Sequence, residues 1–154
     1  MKLVVLTVGK GGFRWAGAAF AEYDKRLRRW GGLASEHVKV EKFRGDIDAV
    51  REAESARLLD TIGPRDVLVA MDERGEDLDT DGFVELVRER RLDGTRKLVF
   101  ALGGAYGHAP VLRQRADRVV RLSSAVMNHD VARVVLAEQL YRVMTLCEGV
   151  PYHH

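Results

Sequence analysis

At 154 residues, 46% hydrophobic and 31% charged, the chain is the size of one domain, with material for a proper core and a composition that excludes a disordered or membrane-spanning protein. A formal net charge of +2 is too small to argue for nucleic acid by itself, because interspersed opposite charges cancel at long range. Cys147 is the only cysteine, so an internal disulfide is excluded, and no Cys and His cluster has metal-ligand spacing; no metal is expected, and with Met1 to Val8 too short for a secretion signal the expected location is the reducing cytoplasm.

Lys2 to Val8 is rich in Val and Leu, as a strand buried on both faces is, and the glycines from Gly9 to Gly12 end it. From Phe13 to Trp30 the residues Trp15, Ala19, Tyr23, Leu27 and Trp30 recur at helical steps, which predicts one buried stripe stopped by Gly31 and Gly32. Glu36 to Phe43 alternates polar residues with Val38 and Val40 and reads as a half-buried strand near a sheet edge. Asp46 then caps a helix through Val50, Leu58, Leu59 and Ile62, with Gly63 and Pro64 as its stop. Asp66 to Met71 is a third strand and Asp72 to Asp77 a polar turn. Thr80 or Asp79 caps a helix through Phe83, Leu86, Val87 and Leu92, ended by Asp93 and Gly94.

Lys97 to Leu102 is a fourth strand that ends abruptly in Gly103, Gly104 and Gly107. Pro110 opens a short helix, Arg118 to Leu122 is a fifth strand, and a long helix runs from about Asn128 to Leu146. That last helix is apolar on nearly every face, so either the core of the same chain or an identical subunit must cover it. Its Glu138 and Arg142 lie four apart in the favourable order. Strands alternate with helices throughout, giving an α/β class with a largely parallel sheet.

Ala70 to Asp72, Leu102 to Gly107 and Leu122 to Met127 each follow a predicted strand. In a parallel sheet these ends share one edge, so their loops can converge on one ligand and read it with bare backbone. The glycines do not form a dinucleotide fingerprint or a Walker loop, and no Gly-x-Ser-x-Gly elbow is present. His129 and Arg133 stand four apart at the start of the last helix and could present an imidazole and a guanidinium together. Three arginine groups stand out, at 26, 28 and 29, at 88, 90 and 91, and at 113, 115, 118 and 121; each reads either as a solvated face or as an RNA-docking patch. The tail from Pro151 to His154 reads as ordered, with a tag remnant as the alternative.

Leu102 to Gly107, Leu122 to His129, Arg133 to Arg142 and the closing Pro151 to His153, in that order, resemble the RlmH family over the whole length of the chain, as do Met1 to Leu3 and Val67 to Asp72. Members are small bacterial methyltransferases that modify a pseudouridine of large-subunit ribosomal RNA at ring nitrogen 3. The resemblance implies one SPOUT-type parallel-sheet domain spanning residues 1–154, with helices on both faces, a C-terminal trefoil knot and a homodimeric state. It implies S-adenosylmethionine held mainly by backbone at Met71, Gly103, Gly104, Leu122, Ser123, Ser124, Ala125, Val126 and Met127, with Gly107 shaping the loop. Three positions depart from the family pattern: Met71 where leucine is common, Val126 where threonine is expected, and Asn128 to Asp130 where proline often precedes the histidine.

On that reading a uracil ring nitrogen must lose its proton before it can accept a methyl group. His129 or His153 is expected to assist, Arg133 and Arg142 to hold the base or phosphate, and Tyr152 with His153 and Arg133 to meet the substrate. With no appended RNA-binding domain, 23S rRNA in the assembled ribosome is the expected substrate. The competing readings are a knotted methyltransferase acting on another rRNA or tRNA position, and a non-catalytic dimeric ribosome-binding module.

Overall fold

The computed structural model describes residues 1–152. Lys2–Val8 forms β1, buried from Leu3 onward, and Leu33–Val38 forms β2 parallel to it, in a register running from Leu3 opposite Leu33 to Val8 opposite Val38. The second strand therefore starts and ends earlier than the expected Glu36 to Phe43. Its span is set by its partner: once β1 ends at Val8 no ladder remains, and Val40, expected to face inward, is exposed.

Between them Arg14–Leu27 forms α1, continued by a 3-10 turn over Arg28–Trp30 and closed by Gly31 in the left-handed conformation. The buried stripe is Ala16, Phe20 and Leu27, while Trp15 is 53% exposed and stacks on Phe13. Two adjacent lines along α1 both have helical spacing, and the one carrying Phe20 meets the core.

Ile47–Asp60 forms α2, where the Asp46 carboxylate accepts the N–H groups of Asp48 and Ala49. Thr80–Leu92 forms α3, with Asp79 accepting from Gly82. The strand before it, β3, runs from Val67 to Asp77 and overturns the expected polar turn at 72–77. After an irregularity beyond Met71, the chain pairs again with β5 (Arg118–Arg121), Glu76 opposite Val120 and Asp77 opposite Arg121. Gly75 allows this closeness, since a Cβ there would lie 2.6 Å from the Val120 backbone. Lys97–Leu102 forms β4 and Pro110–Arg115 forms α4.

The strands form one parallel sheet in the order β2-β1-β4-β3-β5. Alternation along each strand divides the core. Leu3, Val5, Phe100 and Met71 pack on one face with Phe20, Phe83, Leu136 and Leu140 of α1, α3 and the last helix, whereas Val4, Leu6, Leu68 and Val99 pack on the other with Leu58 of α2 and Leu112 of α4.

His129–Cys147 forms that last helix, α5, started by Asn128, whose side chain accepts the Asp130 N–H. It buries Leu136, Ala137, Leu140, Val143 and Met144 in the chain's own core and leaves Val131, Val134, Val135 and Tyr141 half-buried. Among the described residues no helix is long and apolar enough to cross a membrane.

Candidate functional site

Met71 pairs with Leu102 on one side and Val120 on the other, so the irregular stretch of β3 after Met71 and the loops after β4 and β5 leave the sheet at one edge. They enclose a cavity of about 730 Å³, which is within the usual size of small-molecule sites. Every residue to which sequence reasoning gave a cofactor contact lines it: Met71, Gly103, Gly104, Gly107 and Leu122 through Met127. The walls are rich in bare main chain. Gly103 lies so close to Gly107 that a Cβ would sit 3.0 Å from its carbonyl carbon, and Gly107 adopts φ 76°, which favours glycine. On the facing loop Ser123 Oγ accepts the Ala125 N–H at 3.0 Å, and Val126 is 93% exposed, so a threonine hydroxyl is not missed by any neighbour within the chain.

The glycine loop is gripped from behind by α2, which sequence reading did not assign to the site. Arg51 Nε donates to Tyr106 O at 2.9 Å, Ser55 Oγ accepts the Ala109 N–H at 2.8 Å, and the buried Glu54 carboxylate presses on Gly104, where a Cβ would come within 2.3 Å of Oε2. Arg51, Glu54 and Ser55 are three and four residues apart and share a face. The available signal was Glu54 at four-residue steps between Val50 and Leu58, on the buried side of the helix.

His129 closes the cavity at the start of α5. Its Nδ1 lies 3.3 Å from the Gly103 carbonyl, which requires that nitrogen to carry the hydrogen, and neutral imidazole then offers Nε2 as an acceptor. Nε2 is buried and has no partner among the described residues.

Arg133 lies elsewhere. It is buried, its guanidinium stacks on the Phe20 ring at 4.6 Å, and Nη1 donates to Lys10 O at 3.0 Å, so it braces the loop between β1 and α1 and lines a second cavity with Phe20 and Asp24. The helical face it shares with His129 turns toward α1 at that point. Arg142 and Tyr152 are brought together, but away from the first cavity: Arg142 and the Tyr152 hydroxyl both donate to Glu138 Oε1, at 2.7 and 3.3 Å, and the guanidinium sits 5.0 Å from the Tyr152 ring centroid. Burial, reinforced by the Glu138 charge, pushes the Tyr152 phenol above its ordinary range. His153 lies outside the described residues.

Asp72, buried in the cavity wall, was read as part of a turn. It pairs with Arg74 and Arg113, each at 3.4 Å, and Arg113 also donates to the carbonyl of the buried His108 at 2.6 Å. The arginine group of residues 113, 115, 118 and 121 is thus answered one for one by Asp72, Asp117, Glu76 and Asp77. The other two groups are partly neutralised as well, Arg26 by Glu22, Arg28 by Asp24, Arg90 by Glu89 and Asp93, and Arg91 by Glu148. Among the described residues no three His, Cys, Asp or Glu side chains group as a metal site.

A parallel sheet with a cavity of main chain at its carboxyl edge, closed by the start of a long final helix, places the molecule with the SPOUT methyltransferases. The family described as "Predicted SPOUT methyltransferase" matches residues 1–153, and the chain belongs to it. Within that family it stands with the ribosomal RNA large subunit methyltransferases H: it is 40% identical to the one from Trichlorobacter lovleyi and 41% identical to the one from Geobacter sulfurreducens, over 100% of both chains in each case. Among solved structures it is similar to the SpoU methyltransferase AviRb from Streptomyces viridochromogenes in complex with AdoMet, at 19% identity and a TM-score of 0.45, covering 92% of this chain and 57% of that one.

Proposed function

We propose that this single domain is a cytoplasmic, S-adenosylmethionine-dependent methyltransferase acting on ring nitrogen 3 of a pseudouridine in 23S rRNA, with the assembled ribosome as substrate. The observation that carries this reading is the cavity at the ends of β3, β4 and β5, in a chain that matches methyltransferases H from end to end. The residues fit the cofactor: Gly103, Gly104 and the span Leu122 to Met127 offer main-chain groups on two sides, and Met71 with Leu102 supplies an apolar floor. When bound, S-adenosylmethionine supplies an electrophilic methyl group on a positively charged sulfur.

The chain's own residues then have to orient the base and remove a proton. His129 takes the proton from ring nitrogen 3 at Nε2, which is buried in the free chain and has to be uncovered as the base enters, and the Nδ1 contact with Gly103 holds the ring in that tautomer. Arg142 and Tyr152 face the RNA. They stand on and beside α5 more than three turns beyond His129, roughly 20 Å along the helix axis, so one chain does not deliver them to its own cavity.

A homodimer resolves this. The half-buried Val131, Val134 and Val135 give α5 an apolar stripe for a second copy, and a two-fold pair uses one patch twice, so each chain can complete the other's site. The trefoil knot belongs to the same reading and is supported by family membership and by β3 lying between β4 and β5, whose following loops meet at the cavity.

A methyl-transfer assay on whole ribosomes, separated subunits and bare rRNA, with the methyl group located by mass spectrometry, tests the proposal. Transfer to ring nitrogen 3, fastest on whole ribosomes, is expected. Absence of cofactor binding by calorimetry, or a methyl group on ribose, would overturn it.

A further inference from the structure

Phe43 and Tyr106 meet at the rim of the cavity with ring centroids 6.0 Å apart and planes inclined by 41°. They are 50% and 37% exposed. Neither ring is loosely placed. The Glu41 N–H donates to Glu54 Oε1 at 3.0 Å, the Glu41 carboxylate pairs with Arg57, and Arg57 also donates to Lys39 O at 3.0 Å, so the strap of residues 39–46 is fastened to α2 just before Phe43. Asp46 fastens it just after, as the cap of α2. Tyr106 is held by the bond from Arg51 to its carbonyl. The pair is thus presented at the surface by contacts on both sides.

Lys42 and Arg44 flank Phe43, both exposed, and among the described residues neither has a carboxylate within ion-pair distance. The nearby acids are engaged: Glu41 by Arg57, Asp46 by helix amides, and Asp48 by Arg51 at 3.0 Å. This differs from the arginine group at 113–121, each of whose cations is matched by a carboxylate. The strap leads into α2, which packs on the sheet face opposite α1 and α5.

Exposed rings beside two cations that stand in no direct ion pair suit an unpaired nucleotide, whose base stacks while its phosphates meet the cations. A protein partner would favour a surface depleted of lysine at its centre. We infer that Phe43 and Tyr106 form a stacking platform for an unpaired base of the ribosomal RNA beside the target nucleotide, with Lys42 and Arg44 on its phosphates. This rests on the function proposed above and adds to it a substrate-positioning surface outside the cofactor cavity.

The test compares Phe43→Ala, Phe43→Trp and Arg44→Glu with the unaltered protein, measuring KM and kcat for ribosomes, heat of S-adenosylmethionine binding, and affinity for ribosomes and for protein-free 23S rRNA by sedimentation. Phe43→Ala should raise KM for ribosomes about tenfold, the scale of one lost stack, with kcat and cofactor binding unchanged. Phe43→Trp should restore it. Arg44→Glu should weaken binding and flatten its salt dependence. An unchanged KM in Phe43→Ala would overturn the inference. So would weaker binding to ribosomes with undiminished binding to protein-free rRNA, which would assign the rim to a ribosomal protein. If the unaltered protein transfers no methyl group at all, the proposed function fails, and the sedimentation data alone decide the platform.

Discussion

The Asp130 carboxylate fills the space that a side chain at Gly11 would need: a Cβ there falls 2.0 Å from Oδ1. Its other oxygen accepts the N–H groups of Gly12 and Phe13 at 2.8 and 2.9 Å, buckling the loop after β1 to the first turn of α5. Desolvation works to raise this carboxyl, yet the two amides, with His129 and Arg133 nearby, outweigh it and hold the group below its ordinary range. Gly11 also has φ 81°, so alanine would add left-handed strain of about 1 kcal/mol or more to the collision. Gly11→Ala is expected to destabilise by about 2–3 kcal/mol in urea unfolding. Gly12→Ala is the control: nothing lies within 4 Å of a Cβ there, and a change within about 0.5 kcal/mol is expected.

Gly104 is constrained from behind by Glu54 and Val8 as much as by any ligand in front. A Cβ would meet Glu54 Oε2 at 2.3 Å and Val8 Cγ1 at 3.3 Å, and Glu54 is only 3% exposed. Gly104→Ala should therefore cost about 1–3 kcal/mol of stability and weaken cofactor binding by displacing the loop. Glu54→Ala removes the obstacle while freeing the strap at Glu41. The double variant should be less damaged than the sum of the two single ones, by about 1 kcal/mol. Strict additivity in calorimetric unfolding would show that Glu54 does not dictate the glycine.

His108 supplies a pH dependence. Burial pushes its imidazole below the ordinary 6.5, against the opposing pull of its bond to the Ala101 carbonyl and of the Asp72 charge. The unfolded chain takes up a proton near pH 6.5 while the folded one stays neutral, so the stabilisation is complete above that value and drains away as pH falls toward the lower folded value. The slope has a ceiling of about 1.4 kcal/mol per pH unit. The urea midpoint should decline between pH 7 and pH 5. In His108→Leu the decline should be shallower, although that protein is less stable at neutral pH. Equal slopes in the two proteins would remove His108 as the source.

What the sequence made legible was local. β1 and β4 announced themselves through dense runs of Val and Leu; Asp46 and Asp79 marked helix starts through short-range hydrogen bonding, and glycines after strands marked the cavity loops. What stayed hidden depends on distant partners. The strand at Glu76 and Asp77 exists because the backbone of Val120 and Arg121 lies across from it, with Arg118 and Arg121 pairing its carboxylates, and polar residues alone read as a turn. Arg133 has the spacing of a substrate-facing residue but is captured by Phe20 and Lys10, which only the packing of α1 on α5 brings near. The grip of Arg51, Glu54 and Ser55 on the glycine loop likewise needs α2 and β4 already in place.

His129 carries the most direct consequence for the chemistry. Nδ1 lies 3.3 Å from the Gly103 carbonyl, and the proposed mechanism assigns the proton to be removed to Nε2. Asparagine at 129 can reproduce the first contact and glutamine can place an acceptor near the second, but neither amide takes a proton. His129→Asn is expected to keep cofactor affinity within a few-fold, while both variants lose about 10²–10⁴ in single-turnover rate. A His129→Gln enzyme with an undiminished single-turnover rate would take the proton transfer away from this residue and leave it a brace for the loop at Gly103.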